Sequence, residues 1–235
     1  MVAPKIASRE VDRYVDRIAW LIDTRGGFLK KGKEYRDVIQ LVRENPVIVV
    51  DYTIDTDAEA QQTATRHILE KVVSHAMERK DLGDFSLIIA IEEAQYFAPE
   101  YGVAPVIGDP RKVGVDKVLV EAVSQAGGYN VGFILMSQRP AYVRKAILSQ
   151  TNTVITFRLM PGVDQAAIAD YTEYGGPHLG EYLAGLADLE GMLWGISSLI
   201  HFPVIAEVDV EEYPRKAAVT AKTAWERMNT RRFAT

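Results

Sequence analysis

Two adjacent carboxylates, Glu92 and Glu93, close the apolar run Ser86-Leu-Ile-Ile-Ala-Ile91. The run is too short for a helix and reads as a parallel strand buried on both faces, so charge can sit only where it emerges at its carboxyl end. In open α/β sheets, ligands bind at that edge. One carboxylate there can hold a hydrated Mg²⁺ on a nucleotide, and its neighbour, pointing to the other side, can orient or deprotonate an attacking water. The alternative, from this stretch alone, is a strand that exits to solvent through two surface glutamates. A second apolar run, Val131-Gly-Phe-Ile-Leu-Met136, ends in Ser137-Gln138-Arg139-Pro140. Gln138 could donate to a γ-phosphate or hold the attacking water, or it could satisfy loop backbone, while Pro140 forces the turn into the next helix. Arg158 stands near the end of a further strand, Thr153 to Leu159, and Arg111 and Lys112 close a loop and could face a polyanion.

These residues need a scaffold, and the remaining pattern supplies one. Val47-Ile-Val-Val-Asp51 is a β-branched run typical of a central parallel strand. Thr56 or Asp57 can cap the following helix, which runs to about Lys80 with Ala60, Ala64, Ile68, Val72 or Val73 and Ala76 on its inner face. Asp81-Leu-Gly-Asp84 breaks that helix and leads into the strand before Glu92. A strand, helix and strand of these lengths form a right-handed crossover, so the sheet is parallel here. Phe97 to Pro110, with three prolines and two glycines, reads as a long loop. About Val113 to Ala126 is helical, with Val115, Leu119, Ala122 and Val123 as its buried stripe. Asp164 to Tyr171 is helical and Gly175-Gly176-Pro177 breaks the chain. Leu189 to Trp194 and Phe202 to Val208 read as closing strands that could pair antiparallel, with Pro203 suited to an edge. The fold class is therefore α/β, a mostly parallel sheet flanked by helices with antiparallel edge strands.

Upstream, Glu10 to Ile22 carries apolar residues at helical spacing and Tyr35 to Val42 reads as a second short helix. Between them, Gly27-Phe-Leu-Lys-Lys-Gly32-Lys33-Glu34 matches a phosphate-binding loop up to its last position, where a Ser or Thr hydroxyl should serve Mg²⁺. A carboxylate there would repel phosphates, so the stretch reads as a surface turn. The 235 residues suit one large α/β domain, divided into an N-terminal helical segment (1–44), a core (45–212) and a basic tail (213–235). That tail has six basic residues and one acid in a chain of net charge −5, which suggests contact with nucleic acid or with an acidic neighbouring subunit, or a solvated terminal helix. Absence of cysteine excludes disulfides, and His67, His75, His178 and His201 lack ligand-like spacing, which argues against zinc. No apolar run approaches ~18 residues and the N-terminus lacks an apolar signal core, which together predict a cytoplasmic protein.

Taken as a set, Val47 to Asp51, Ile88-Ile-Ala-Ile-Glu-Glu-Ala-Gln-Tyr-Phe-Ala-Pro99, Val131 to Pro140, Leu148 to Thr153, Arg158 and Asp164-Gln165 resemble the RecA-like core of the HerA/FtsK superfamily, ring-forming DNA-pumping ATPases. The likeness is strongest to the archaeal HerA helicases and extends over roughly Val47 to Val208, the C-terminal part of that core. It implies a P-loop-type ATPase fold working as a homo-oligomer, a hexameric ring around DNA, with ATP and Mg²⁺ bound between subunits and room for a nuclease partner. By position, Glu92, in the Walker B element, would serve the metal, Glu93 would activate water and Gln138 would sense the γ-phosphate. The tail would pack on a neighbouring subunit. Two departures qualify this. The family's phosphate-binding loop (Walker A) precedes the counterpart of Val47 to Asp51, and no recognisable one is found here, so the chain is expected to be part of a longer ATPase or a loop-less paralogue, with weak or no ATPase activity alone. Where the family shows Glu-Gly-Arg-Lys, this chain reads Gln125-Ala-Gly-Gly128. The arginine that reaches a neighbour's phosphate is thus missing, and Arg139, Arg144 or Arg158 are candidates to replace it. A non-catalytic ATPase-fold subunit that assembles and binds DNA or protein is the alternative function.

Overall fold

A computed structural model describes residues 37–52, 57–105, 107–171, 178–196, 198 and 202–209. The helical pattern at Glu10 to Ile22, the Gly27 to Glu34 stretch, Gly175-Gly176-Pro177 and the basic tail lie outside the described residues. The chain divides into two compact units between Val49 and Val50. The first contains helix α1, Val38–Glu44. Asn45 ends it in extended conformation, as the clash with the following Pro46 requires.

The second unit begins its helices with α2, Ala58–Glu78, and Asp57 is its cap, with its carboxylate accepting from the Glu59 and Ala60 amides at 2.9 and 3.2 Å. Asp57→Ala should lower stability by about 1 kcal/mol, read from urea unfolding, with Asp57→Asn retaining most of it; an unchanged midpoint in the alanine variant would show that the cap contributes nothing. The buried face of α2 is Gln62, Leu69, Val72 and Ala76; Val72 and Ala76 belong to the expected stripe, while Leu69 and Gln62 are buried in place of Ile68, Ala64 and Ala60. Gln62 can be buried because its amide donates to the Tyr96 and Ile107 carbonyls, both at 3.1 Å. The helix therefore anchors both ends of the long loop that follows the first strand.

Strands β1, Leu87–Ile91, and β2, Val131–Leu135, pair in parallel with Ile91 opposite Leu135. Between them run α3, Pro110–Val113, and α4, Val115–Gln125. Leu69 of α2, Val115 and Leu119 of α4, Ile91, Ala94 and Ala98, and Val143 and Ile147 form one core, the last in the short helix α5, Lys145–Leu148. Strands β3, Thr153–Thr156, β4, Glu190–Gly195, and β5, Val204–Glu207, form a separate antiparallel sheet in the order β3-β4-β5. Helices α6, Gly162–Tyr171, and α7, Leu179–Gly185, supply Ile168, Leu179 and Leu183 to a second core with Leu186, Met192 and Trp194.

The class is α/β, and three details differ from the sequence expectation. Among the described residues only one face of β1–β2 is covered, with Ile88 69% and Ile134 51% exposed. An apolar run shows that a strand can be buried on both faces, not that the chain brings two layers to it. Val47 to Val50 forms no strand among the described residues, with Val47 and Val49 about four-fifths exposed; β-branching favours an extended backbone but does not by itself make a strand. The strand at Thr153 joins the antiparallel sheet rather than the parallel pair. Among the described residues, no helix is long and apolar enough to cross a membrane.

Candidate functional site

Parallel pairing brings the carboxyl ends of β1 and β2 side by side, and the backbone beyond them determines how the polar residues meet. The Met136 amide donates to the Ile91 carbonyl, and the Ala94 amide returns to the Met136 carbonyl, each at 2.9 Å. Glu92 and Glu93 bridge that step outside the ladder. Glu93 does so in left-handed conformation, φ 51° and ψ 49°, which costs a residue with a Cβ about 1–2 kcal/mol. Strain of this kind persists where the surroundings over-determine it, and such places concentrate at functional sites.

The strained turn aims the Glu93 carboxylate at two amides. Gln138 Nε2 donates to Oε1 at 2.7 Å, and Gln95 Nε2 donates to Oε2 at 2.5 Å. Gln138 is exposed, whereas Gln95 is only 6% exposed beneath the turn. Ser137 Oγ in turn donates to Gln95 Oε1 at 2.6 Å and accepts from the Arg139 amide at 3.0 Å. Glu93 and Gln138, 45 positions apart, are thus in direct contact. Glu92 is exposed at the same strand end, and its side chain has no hydrogen bond or ion pair among the described residues. Mg²⁺ keeps most of its coordination as water and phosphate oxygen and needs one or two carboxylates, a requirement that Glu92 fits. The described residues contain no cluster of three His, Cys, Asp or Glu.

The arginines divide by what they are committed to. Arg139 Nε binds Asp164 Oδ2 at 2.9 Å, and its guanidinium lies 4.3 Å from the Tyr142 ring centre. Asp164 is wholly buried and also accepts from the Ala141 amide at 3.0 Å. The hydrogen bond from Arg139 to Asp164 raises the Arg139 pKa above its ordinary value, and the side chain as a whole stays 41% exposed. Arg144 cannot reach a neighbouring subunit: it is 5% exposed, bonded to Asp116 at 2.9 Å and stacked on Tyr101. Arg158 pairs with exposed Asp188 beside the antiparallel sheet, with no hydrogen bond or ion pair to Glu92, Glu93 or Gln138. Arg111 and Lys112 lie exposed on α3, where Arg111 binds the capping carboxylate of Asp109. The Arg111 hydrogen bond holds the Asp109 carboxyl below the usual carboxylate range.

Beyond the site, the two segments that carry it are zipped together. The Glu100 amide donates to the Tyr142 carbonyl at 2.8 Å, the Arg144 amide to the Ala98 carbonyl at 2.9 Å, and the Lys145 amide to a Glu100 carboxylate oxygen at 2.7 Å. Sequence reasoning did not single out Gln95, Ser137 or Asp116. For Gln95 a signal existed: it is a polar residue between Ala94 and Ala98, where the helical turn faces the core.

No family model matches the chain. It is 24% identical over 212 residues to a probable helicase of Methanocaldococcus jannaschii, covering 86% of this chain and 37% of that protein. To the DNA double-strand break repair helicase HerA of Saccharolobus solfataricus it is 22% identical over 206 residues, again 86% of this chain and 37% of the relative. The curated homologues are thus HerA-type helicases, and the chain spans little more than a third of their length. Among solved structures, the genome packaging NTPase B204 of Sulfolobus turreted icosahedral virus 2, in complex with AMP, aligns at 17% identity over 76% of this chain and 74% of that one, with a TM-score of 0.49.

Proposed function

We propose that the chain is part of a HerA/FtsK-type ATP-dependent DNA translocase, its core (45–212) contributing the hydrolytic end of a nucleotide site between subunits of a ring and its basic segment at 213–235 packing on a neighbouring subunit. One observation carries the reading: the Gln138 amide donates to the Glu93 carboxylate at 2.7 Å across the carboxyl ends of two parallel strands. Sequence similarity to HerA-type helicases over most of the chain supports it. In this reading Glu93 accepts the proton of the attacking water, and Gln138 exchanges its bond to Glu93 for one to the γ-phosphate. Arg139, held by Asp164, offers positive charge to the charge that develops on the phosphate. Glu92 would hold Mg²⁺, which when bound neutralises charge on the phosphates. Arg111 and Lys112 are available to DNA backbone, where each phosphate contact adds to affinity and to its dependence on salt. Because no phosphate-binding loop is recognisable, hydrolysis by this chain alone is weak or absent.

A non-catalytic ring subunit is the second reading, favoured by Gln125-Ala-Gly-Gly128 where an arginine would reach the neighbour's phosphate. Calorimetric titration of a non-hydrolysable Mg²⁺-ATP analogue, with and without duplex DNA and over a range of protein concentrations, separates them. The translocase reading expects self-association on DNA and analogue binding that strengthens with assembly. Assembly on DNA with no analogue binding selects the second reading, while neither self-association nor DNA binding overturns both.

A further inference from the structure

The two amides on Glu93 are not equivalent, and their difference has a chemical origin. An amide side chain can face a carboxylate with its NH₂ or its C=O, ends alike in shape and opposite in function. For exposed Gln138 nothing beyond the carboxylate itself fixes the choice. For Gln95 a directional chain does. The Arg139 backbone N–H can only donate, and it donates to Ser137 Oγ. The hydroxyl proton of Ser137 remains available to donate onward, and it donates to Gln95 Oε1. With its carbonyl so occupied, Gln95 presents its NH₂ to Glu93 Oε2. Every donor in this chain points toward the carboxylate, and bonds in such a series polarise one another.

We infer that Gln95, oriented by Ser137, is the positioning residue of Glu93: it anchors one carboxylate oxygen permanently, while Gln138 engages and releases the other. The inference rests on the hydrolytic reading of Glu93. Three features carry it. Gln95 is 6% exposed in the turn that also buries Ala94, so water does not compete for its amide. Gln138 is exposed and able to turn away. Glu93 sits in left-handed backbone conformation, so its side chain needs a fixed point if the carboxylate is to face the gap between the strands. When Gln138 leaves, Oε1 becomes free to accept from water while Oε2 remains held, so the base is exposed without losing its direction. Ser137 and Gln95 touch neither water nor phosphate in this scheme and act only through Glu93.

The test uses the full chain and has two arms. In the first, the side-chain amide signal of Gln95 is identified in ¹⁵N spectra by its loss in Gln95→Ala. Its amide protons should exchange slowly in the wild type, shift in Glu93→Gln and exchange faster in Ser137→Ala, with Ser137→Thr restoring protection. Exchange as fast as that of exposed glutamines, with no response to Glu93→Gln, would overturn the inference whatever the protein does with nucleotide. In the second arm, ATP turnover is measured on protein assembled with duplex DNA. Gln95→Ala and Ser137→Ala should lower kcat by about 10- to 100-fold, the usual effect of removing a group that orients a reacting one, with KM within about threefold and Ser137→Thr close to wild type. Equal loss in kcat and affinity, or no loss, would make Gln95 a structural residue and defeat the proposal. A wild type that turns over nothing is what a chain without a recognisable phosphate-binding loop is expected to show, and the exchange arm then decides the inference by itself.

Discussion

Replacing Arg144 with alanine should destabilise the fold by about 3–5 kcal/mol, the range for leaving one member of a buried ion pair alone. Arg144 and Asp116 are 5% and 2% exposed and joined at 2.9 Å, and Asp116 Oδ1 and Arg144 Nε have no other partner. The pair is therefore already incompletely satisfied, and removal of the guanidinium strands a carboxylate on α4 inside the first core. Tyr101 would also lose the cation that lies 4.1 Å from its ring centre and the 3.1 Å bond to its hydroxyl. At about 2–4 °C per kcal/mol for a chain of this size, the melting temperature should fall by roughly 6–20 °C. Arg158→Ala provides the contrast: its partner Asp188 is 86% exposed, and such pairs contribute about 0–1 kcal/mol. The double variant Asp116→Leu with Arg144→Met should recover most of the loss, because an apolar pair of similar volume removes both desolvation costs. A single-variant loss below about 1 kcal/mol, or a double variant no better than Arg144→Ala, would refute this account. The consequence reaches the site, since the same segment bonds the chain after Glu93 to the chain after Gln138 at Ala98 and Glu100.

The features readable in the sequence are those that depend on local pattern alone. The apolar run closed by Glu92 and Glu93 identifies β1, and the run closed by Ser137 and Gln138 identifies β2. A helical crossover between them requires parallel pairing, from which adjacency of their carboxyl ends follows, so the meeting of Glu93 and Gln138 is implicit in the order of elements. What depends on partners was not readable. Nothing in Ser86 to Ile91 distinguishes a strand covered on one face from one covered on two, and Ile88 is left exposed. Thr153 to Thr156 has the composition of either sheet, and its antiparallel place is set by Trp194 and Leu193 opposite Val154 and Ile155. Helix α7 was missed although Leu179, Leu183 and Leu186 recur at helical spacing, because the preceding Gly-Gly-Pro suggested only a break. Gln95 and Asp164 show the deeper limit. A buried glutamine and a buried aspartate resemble surface residues until the groups they satisfy, Glu93 in one case and Arg139 with the Ala141 amide in the other, are brought to them by the fold.

Glu93→Gln should abolish most hydrolysis while leaving the fold nearly as stable as before. A glutamine has one acceptor end and one donor end where the carboxylate had two acceptors. Gln95 cannot turn without losing Ser137, so the new carbonyl should take the place of Oε2 and keep the Gln95 bond. The new NH₂ then faces Gln138, which is exposed and can rotate to offer its carbonyl instead. Every hydrogen bond is thereby replaced, and the change in stability should stay within about 0.5 kcal/mol, the range for substitutions that disturb no buried group. Turnover has no such substitute. The amide cannot accept a proton from water, and a positioned general base is worth about 10²–10⁴ in rate. Any Mg²⁺-dependent ATP hydrolysis that the chain supports when assembled on DNA should therefore fall by that factor, with affinity for a non-hydrolysable analogue within a few-fold of wild type. Stopped turnover with preserved melting temperature and analogue binding is the signature expected of Glu93 as base. Turnover that survives the substitution would remove Glu93 from the chemistry, and the strained turn that presents it would then need another explanation.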